Sequence, residues 1–140
     1  MRITLLTAAA LLALSPAAAF AASETFTADL KPASEVPAVD SKGSGMLTAT
    51  YDTASKKLTY SATYKDLTGP ATMAHFHGPA DAKTNAKVVV PVKDMTPSVL
   101  KGEATLTPEQ AADLEAGKWY FNIHTAANKG GEIRGQVMKK

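Results

Sequence analysis

The sequence predicts an all-β fold, a single antiparallel, Greek-key-like sandwich or flattened barrel of about eight strands with one short crossover helix. Two observations lead to this prediction. Short segments alternate apolar and polar residues with a period of two, as strands with one buried face do. Gly, Pro, Asp, Ser and Lys separate these segments at the short intervals that are typical of antiparallel sheet proteins.

The alternation is clearest where Trp119, Phe121 and Ile123 share one face of a segment. Residues 52–56 form a polar turn that joins the second and third strands in a hairpin. Pro91 predicts that the fifth strand lies at a sheet edge or ends there, because proline lacks the N–H group that a central strand donates. The predicted strands cover residues 25–30, 47–51, 58–64, 71–77, 87–92, 98–106, 119–125 and 132–137.

One segment has the pattern of a helix. Thr107 is its N-cap, Pro108 takes the first helical position, and Gln110 completes a capping box. Gly117 supplies the C-terminal stop. We expect a helix of about ten residues that crosses between two strands.

The first 21 residues have the pattern of a secretory signal peptide. Arg2 supplies the positive start, residues 5–14 form an apolar run too short to span a bilayer, and 19–21 fit a small-x-small cleavage site. We therefore expect a periplasmic or secreted protein whose mature β-domain covers residues 22–140. No later segment is long and apolar enough to predict a membrane span.

Composition excludes several classes of site. The chain contains no cysteine, which rules out disulfides, thiolate metal sites and cysteine nucleophiles. Its 15 Lys and Arg and 13 Asp and Glu leave a net charge of +2, and the charges are interspersed, so no nucleic-acid partner is predicted. The sequence does not indicate an oligomeric state.

The chain contains three histidines, and two of them form the sequence His75-Phe76-His77. Residues two apart in a strand point to the same face, so both imidazoles can reach one ion. His124 is predicted on the face opposite Trp119, Phe121 and Ile123. If the two strands are neighbours, the three imidazoles meet and form a metal site; the alternative is a polar histidine network or a pH-sensitive surface.

Three imidazoles suit copper, zinc or nickel, and the intrinsic affinity order favours copper, with zinc as the alternative. Met73 shares the face of His75 and His77, so its thioether is a candidate soft ligand for Cu(I). The alternative for this methionine is to fill the core.

Three charged residues are candidates for the surroundings of the metal. Arg134 lies in the strand after His124, where it would guide a small anion inward; the alternative is an ordinary ion pair. Glu132 lies on the same face of that strand as Arg134. Glu35 would orient a metal-binding histidine without contacting the metal itself. The alternative is that its carboxylate accepts from backbone N–H groups and holds its own loop in place.

The sequence resembles the CHRD domain family, first named for repeats in chordin and widespread in exported bacterial proteins. The resemblance implies a compact β-domain without a settled activity, and all three histidines, Glu132 and Arg134 fall inside its motifs. The matching pieces are Ser34-Glu35-Val36-Pro37, Gly43-Ser44-Gly45, Leu67-Thr68-Gly69, Ala74-His75-Phe76-His77-Gly78-Pro79-Ala80, Leu114-Glu115-Ala116-Gly117-Lys118-Trp119-Tyr120, Asn122-Ile123-His124-Thr125 and Gly130-Gly131-Glu132-Ile133-Arg134-Gly135-Gln136.

A looser similarity is to the copper-zinc superoxide dismutases, which are exported β-barrels with an H-x-H strand at copper and an arginine near the metal. This chain lacks their fourth copper histidine and their cysteines. The predicted function is copper binding through His75, His77 and His124, with superoxide dismutation as the candidate reaction and superoxide or a copper-handling protein as the candidate partner. The alternative is a non-catalytic interaction module whose histidines are structural.

Overall fold

The computed structural model describes residues 21–140. The predicted signal peptide, residues 1–21, lies outside the described residues except for Ala21, and it stays a prediction. These described residues form eight strands, one 3₁₀ helix and one α-helix. In chain order they are β1 (Ser23–Leu30), the 3₁₀ helix (Pro32–Ser34), β2 (Ser44–Asp52), β3 (Lys57–Lys65), β4 (Ala71–His77), β5 (Val88–Pro91), β6 (Val99–Thr105), α1 (Pro108–Glu115), β7 (Trp119–Thr125) and β8 (Ile133–Lys139).

The eight strands form one antiparallel sheet that curls into a nearly closed barrel. Its order is β5-β4-β7-β8-β1-β2-β3-β6, so β5 and β6 are the two edges. A single bridge between Asp94 and Lys101 links the segment after β5 to β6. The predicted all-β fold is therefore confirmed, as is the edge position of the strand that ends at Pro91.

The barrel interior is filled by the residues that alternate inward. Phe76 lies at its centre, with ring centroids 5.0 Å from Tyr60, 4.8 Å from Phe121 and 5.7 Å from Trp119. All three partners belong to strands that the period-two pattern predicts. Burying a large aromatic ring stabilises a fold by about 2–3 kcal/mol relative to exposure, so this cluster holds β4 against its neighbours.

The single helix begins as the sequence predicts. The Thr107 hydroxyl accepts a hydrogen bond from the Gln110 backbone N–H, and the Gln110 side chain accepts one from the Thr107 N–H. Ala111 and Leu114 are its buried residues. The helix carries the chain from edge strand β6 to β7, which lies between β4 and β8. It is the predicted crossover, although at eight residues it is shorter than expected.

Strand β7 differs from its sequence pattern in one respect. All seven of its residues are buried, although alternation predicts one buried face. Two connections, residues 31–43 and 78–86, place contacts over the outer face of β7 and β8. The barrel therefore has a second buried layer, made of polar side chains. Among residues 21–140, no helix has the length and apolar character needed to cross a bilayer.

Candidate metal centre

The three histidines lie on the outer face of β4 and β7, beneath the connection 78–86. The two strands are neighbours with the register Met73 opposite His124, His75 opposite Asn122 and His77 opposite Tyr120. Because alternate residues share a face, these side chains project to the same side, and Phe76 projects into the core. The sequence premise that two strands far apart in the chain bring the three rings together is therefore confirmed.

The three imidazoles are close enough to share one ion. Each offers a ring nitrogen, and these atoms lie within 4.8 Å of one another. The shortest separation is 3.1 Å, between His75 Nδ1 and His124 Nε2. Two nitrogens bound at about 2.0 Å to one tetrahedral ion lie roughly 3.3 Å apart, so the His75–His124 pair is already near that separation, and the wider separations must shorten for all three to bind one ion.

Two of the histidines have their tautomers fixed by backbone carbonyls. His77 Nδ1 donates to the Ala86 carbonyl at 2.9 Å, and His124 Nδ1 donates to the Lys129 carbonyl at 2.8 Å. A carbonyl can only accept, so each Nδ1 carries the proton and each Nε2 carries a lone pair. This is the arrangement by which proteins orient metal-binding imidazoles.

Asn122 completes the cluster, and the sequence did not point to it. Its Oδ1 lies 3.0 Å from both His77 Nε2 and His124 Nε2. In this amide orientation its oxygen and the two Nε2 lone pairs face one another, while His75 Nδ1 lies 3.1 Å from His124 Nε2 and can donate a hydrogen bond to it. A cation at this point would relieve their mutual repulsion. The sequence offers one signal for Asn122: it precedes His124 by two residues and therefore lies on the same face of the strand.

Burial favours the neutral form of His75 and His77. It is the main cause that lowers the pKa of His75 to about 4, and the neighbouring His124 and His77 lower it further. Burial also lowers the pKa of His77, although hydrogen bonds to Ala86 and Asn122 act in the opposite direction. Neutral imidazoles are the form that binds metals, so no proton must be removed from His75 or His77 at neutral pH.

Glu35 is separated from the imidazoles by the side chain of Asn122. It is 6 % exposed, and its Oε1 has no hydrogen-bond partner among the described residues. Burial raises its pKa to about 7, against the opposing effects of the Arg134 charge and the Asn122 amide. A side chain at Gly131 would contact both Glu35 Oε1 and Asn122 Nδ2, which places these two groups side by side. Any influence of Glu35 on the histidines therefore passes through Asn122.

We expect Glu35→Gln to stabilise the protein at alkaline pH only. With a pKa raised from 4.5 to about 7, Glu35 loses its proton at a lower pH in the unfolded chain than in the fold, so stability falls as pH rises through that window. At about pH 8 the variant should gain on the order of 1–2 kcal/mol in free energy of unfolding, after allowance for solvent screening, and at about pH 4 nothing. Urea unfolding followed by the fluorescence of Trp119, the single tryptophan, measures this.

The exposed Glu103, which pairs with Lys57 on the barrel surface, is the matched control for that substitution. Glu103→Gln should change stability by less than about 0.5 kcal/mol at either pH. A Glu35→Gln gain that is equal at the two pH values would contradict a buried carboxyl that titrates near neutrality.

Arg134 holds the connection 78–86 onto the barrel. Its side chain is 1 % exposed, and its Cζ lies 3.4 Å from the centroid of the Tyr120 ring. The guanidinium donates to Asn85 Oδ1 at 2.9 Å and to the carbonyls of Thr84 and Asp81 at 2.6 and 3.2 Å. Among the described residues it forms no ion pair with a carboxylate. Its role in guiding an anion stays a prediction.

Tyr120 joins Arg134 to the metal centre. Its ring stacks on His77 with centroids 4.6 Å apart and planes within 4° of parallel. Its hydroxyl accepts from the Ala86 N–H at 3.1 Å, next to the carbonyl that fixes His77. Strand alternation puts Tyr120 on the same face as His124, but it does not predict that the ring stacks on His77.

Glu132 fastens a different connection. Its carboxylate accepts from the Thr68 N–H at 2.9 Å and from the hydroxyls of Thr68 and Thr125 at 2.7 Å each. Burial alone would raise its pKa, but these hydrogen bonds outweigh burial and hold the pKa below its usual value. Glu132 thus bridges the β3–β4 connection to β7, and its place in the surroundings of a metal stays a prediction.

Fold and site define a class of protein: a small antiparallel β-barrel domain with a histidine cluster on its outer face. The family model for the CHRD domain matches residues 26–137, and the chain belongs to this family. CHRD domains are typical of extracellular proteins. No curated protein and no solved structure matched the chain.

Proposed function

We propose that this CHRD domain is exported to the periplasm or secreted and binds one copper ion through His75, His77 and His124. One observation supports the proposal above all. In two of the three rings the Nδ1–H donates to a backbone carbonyl, which leaves Nε2 lone pairs directed at a common point. Buried lone pairs at such a point cost free energy unless a cation or an N–H donor faces them.

The donor set favours copper over other cations. Imidazole nitrogens suit zinc, copper and nickel, while calcium and magnesium require oxygen ligands. Among the described residues, the candidate cluster contains only histidines. Cu(II) has the highest intrinsic affinity for such a site, and zinc is the alternative ion.

Titration of Cu(II) and Zn(II) into purified metal-free protein tests the proposal. We expect one copper per chain, and at least about 100-fold weaker binding in the His75→Ala/His77→Ala variant, because one imidazole remains. The variant Thr59→Ala/Thr63→Ala, at two exposed positions of β3, is the control and should bind as the natural chain does. Trp119 fluorescence confirms folding of each variant. Copper binding that survives the loss of both histidines contradicts the proposal.

Superoxide dismutation is the catalytic form of this proposal. Bound copper would supply one-electron exchange with a small ligand such as superoxide, and Arg134 would attract the anion. The guanidinium is buried and donates to loop groups, which favours a copper carrier over a catalyst. A superoxide assay on the copper-loaded protein separates the two. A catalyst increases the rate of superoxide loss above that with the metal-free protein, and a carrier does not.

A second candidate is a non-catalytic interaction module, supported by the pKa of Glu35. If the Asn122 amide is turned by 180°, its NH₂ group donates to both Nε2 atoms and its oxygen faces Glu35. A protonated Glu35, as a pKa of about 7 allows, then donates to that oxygen. This network is complete without a metal. It predicts that copper binds no tighter than to an isolated surface histidine.

A further inference from the structure

We propose that Met73 is a soft ligand of the same centre and makes it prefer Cu(I) over Cu(II). This inference rests on the proposed copper function. It names the oxidation state of the cargo, and therefore the kind of partner, a reduced-copper donor or acceptor, with which the domain would exchange metal.

Met73 lies directly beside the histidine cluster. It is opposite His124 in the β4–β7 register and two residues before His75 on the same face. Residues directly opposite in antiparallel strands have Cβ atoms about 4.5–5.5 Å apart, and methionine has three rotatable bonds beyond its Cα. Its sulfur can therefore reach an ion held by His124 without any change in the backbone.

Met73 is also an exposed apolar residue of this face. Its side chain is 48 % exposed, so it does not fill the core. His77, His124 and Asn122 are buried, and His75 is partly buried, so Met73 lies where the cluster opens to solvent. An ion or a partner that approaches from solvent meets the thioether beside the imidazoles.

The position of Met73 beside the histidines matters because of the metal preference of its thioether. Thioethers are soft donors that bind Cu(I) and add little to Cu(II) or Zn(II). Three imidazoles accept either oxidation state, so the sulfur is the group that distinguishes them. Met73 keeps the regular register of His75 and His77, and the register shift lies beyond it, between Ala71 and Met73.

Two other methionines provide matched controls. Met46 on β2 is 47 % exposed, and Met138 on β8 is 53 % exposed. Met46 lies beside Asp29 and Thr63 on the opposite side of the barrel sheet, and Met138 lies near Gly117. Both share the chemistry and exposure of Met73 but have no histidine opposite them.

The test measures Cu(I) affinity by competition with a chromophoric Cu(I) chelator under anaerobic, reducing conditions, and Cu(II) affinity by titration. For Met73→Leu we expect Cu(I) binding to weaken at least about tenfold and Cu(II) binding to change less than about twofold. Met46→Leu and Met138→Leu should leave both affinities unchanged. X-ray absorption of the Cu(I)-loaded chain should show a sulfur neighbour that disappears in Met73→Leu alone.

The outcomes separate this inference from the function on which it rests. If the natural chain binds copper in neither state through its histidines, the proposed function fails. If it binds copper and Met73→Leu weakens neither state, or both equally, the copper site stands and the role of Met73 is wrong.

Discussion

Replacing Arg134 by lysine is expected to destabilise the protein by about 2–4 kcal/mol, although the charge is kept. The planar guanidinium makes three hydrogen bonds to the connection 78–86 and lies 3.4 Å from the Tyr120 ring centroid. A lysine ammonium cannot satisfy Asn85, Thr84 and Asp81 in that geometry, and it would remain a buried cation with fewer partners.

The same substitution distinguishes two roles of Arg134. A residue that only attracts an anion could be replaced by lysine with little loss, because attraction depends on charge. A residue that holds the connection in place could not. Because Ala86 in that connection accepts from His77 Nδ1, Arg134→Lys should also weaken copper binding.

Chemical denaturation and copper titration of Arg134→Lys measure both effects. The exposed Lys139, paired with Glu24 at 2.7 Å, is the control, and Lys139→Ala should cost about 1 kcal/mol or less. If Arg134→Lys unfolds at the denaturant concentration of the natural chain, the guanidinium does not hold the loop, and its role in anion guidance gains support.

Local patterns were sufficient to predict most of the fold. Period-two alternation identified the first three strands and the last two, because a strand buried on one face must alternate. The helix start followed from Thr107 and Gln110, whose hydrogen bonds involve neighbours three residues apart. The edge position of β5 followed from a single residue, Pro91, through the backbone N–H that it lacks.

The candidate site was only half predictable. His75 and His124 are 49 residues apart, and their meeting required only that β4 and β7 be neighbours. The partners that fix the rings, Ala86 and Lys129, are backbone groups of connections, which carry no sequence signal. The role of Asn122 likewise depends on two side chains that arrive from different strands.

The polar layer outside β7 escaped prediction for a physical reason. Alternation reports which face is apolar, and it assigns the other face to solvent. Here the connections 31–43 and 78–86 cover that face, so Tyr120, Asn122 and Arg134 are buried although they are polar. For Tyr120 and Arg134 such burial is tolerated because their hydrogen bonds are satisfied by loop atoms that become available only in the folded chain.

Gly135→Ala is expected to be the most damaging small substitution, at about 3 kcal/mol or more. Strand β8 is shared by both halves of the barrel, since it pairs with β7 on one side and β1 on the other. A Cβ at Gly135 would overlap the Asp29 carbonyl oxygen and lie 2.9 Å from its carbon. The obstacle is backbone, so it cannot rotate away, and β1 must move off β8.

That movement would reach the metal centre through Lys31. Its N–H donates to the Arg134 carbonyl at 2.9 Å and its carbonyl accepts from the Arg134 N–H at 3.1 Å, next to Gly135. We therefore expect Gly135→Ala to lower both the thermal midpoint and copper affinity. Gly69→Ala and Gly130→Ala are the controls, because a Cβ at either meets nothing within 4 Å. If all three variants have the same thermal midpoint, β1 and β8 can accommodate the added methyl group. The position of the loop that carries Glu35 then does not depend on close packing at Gly135.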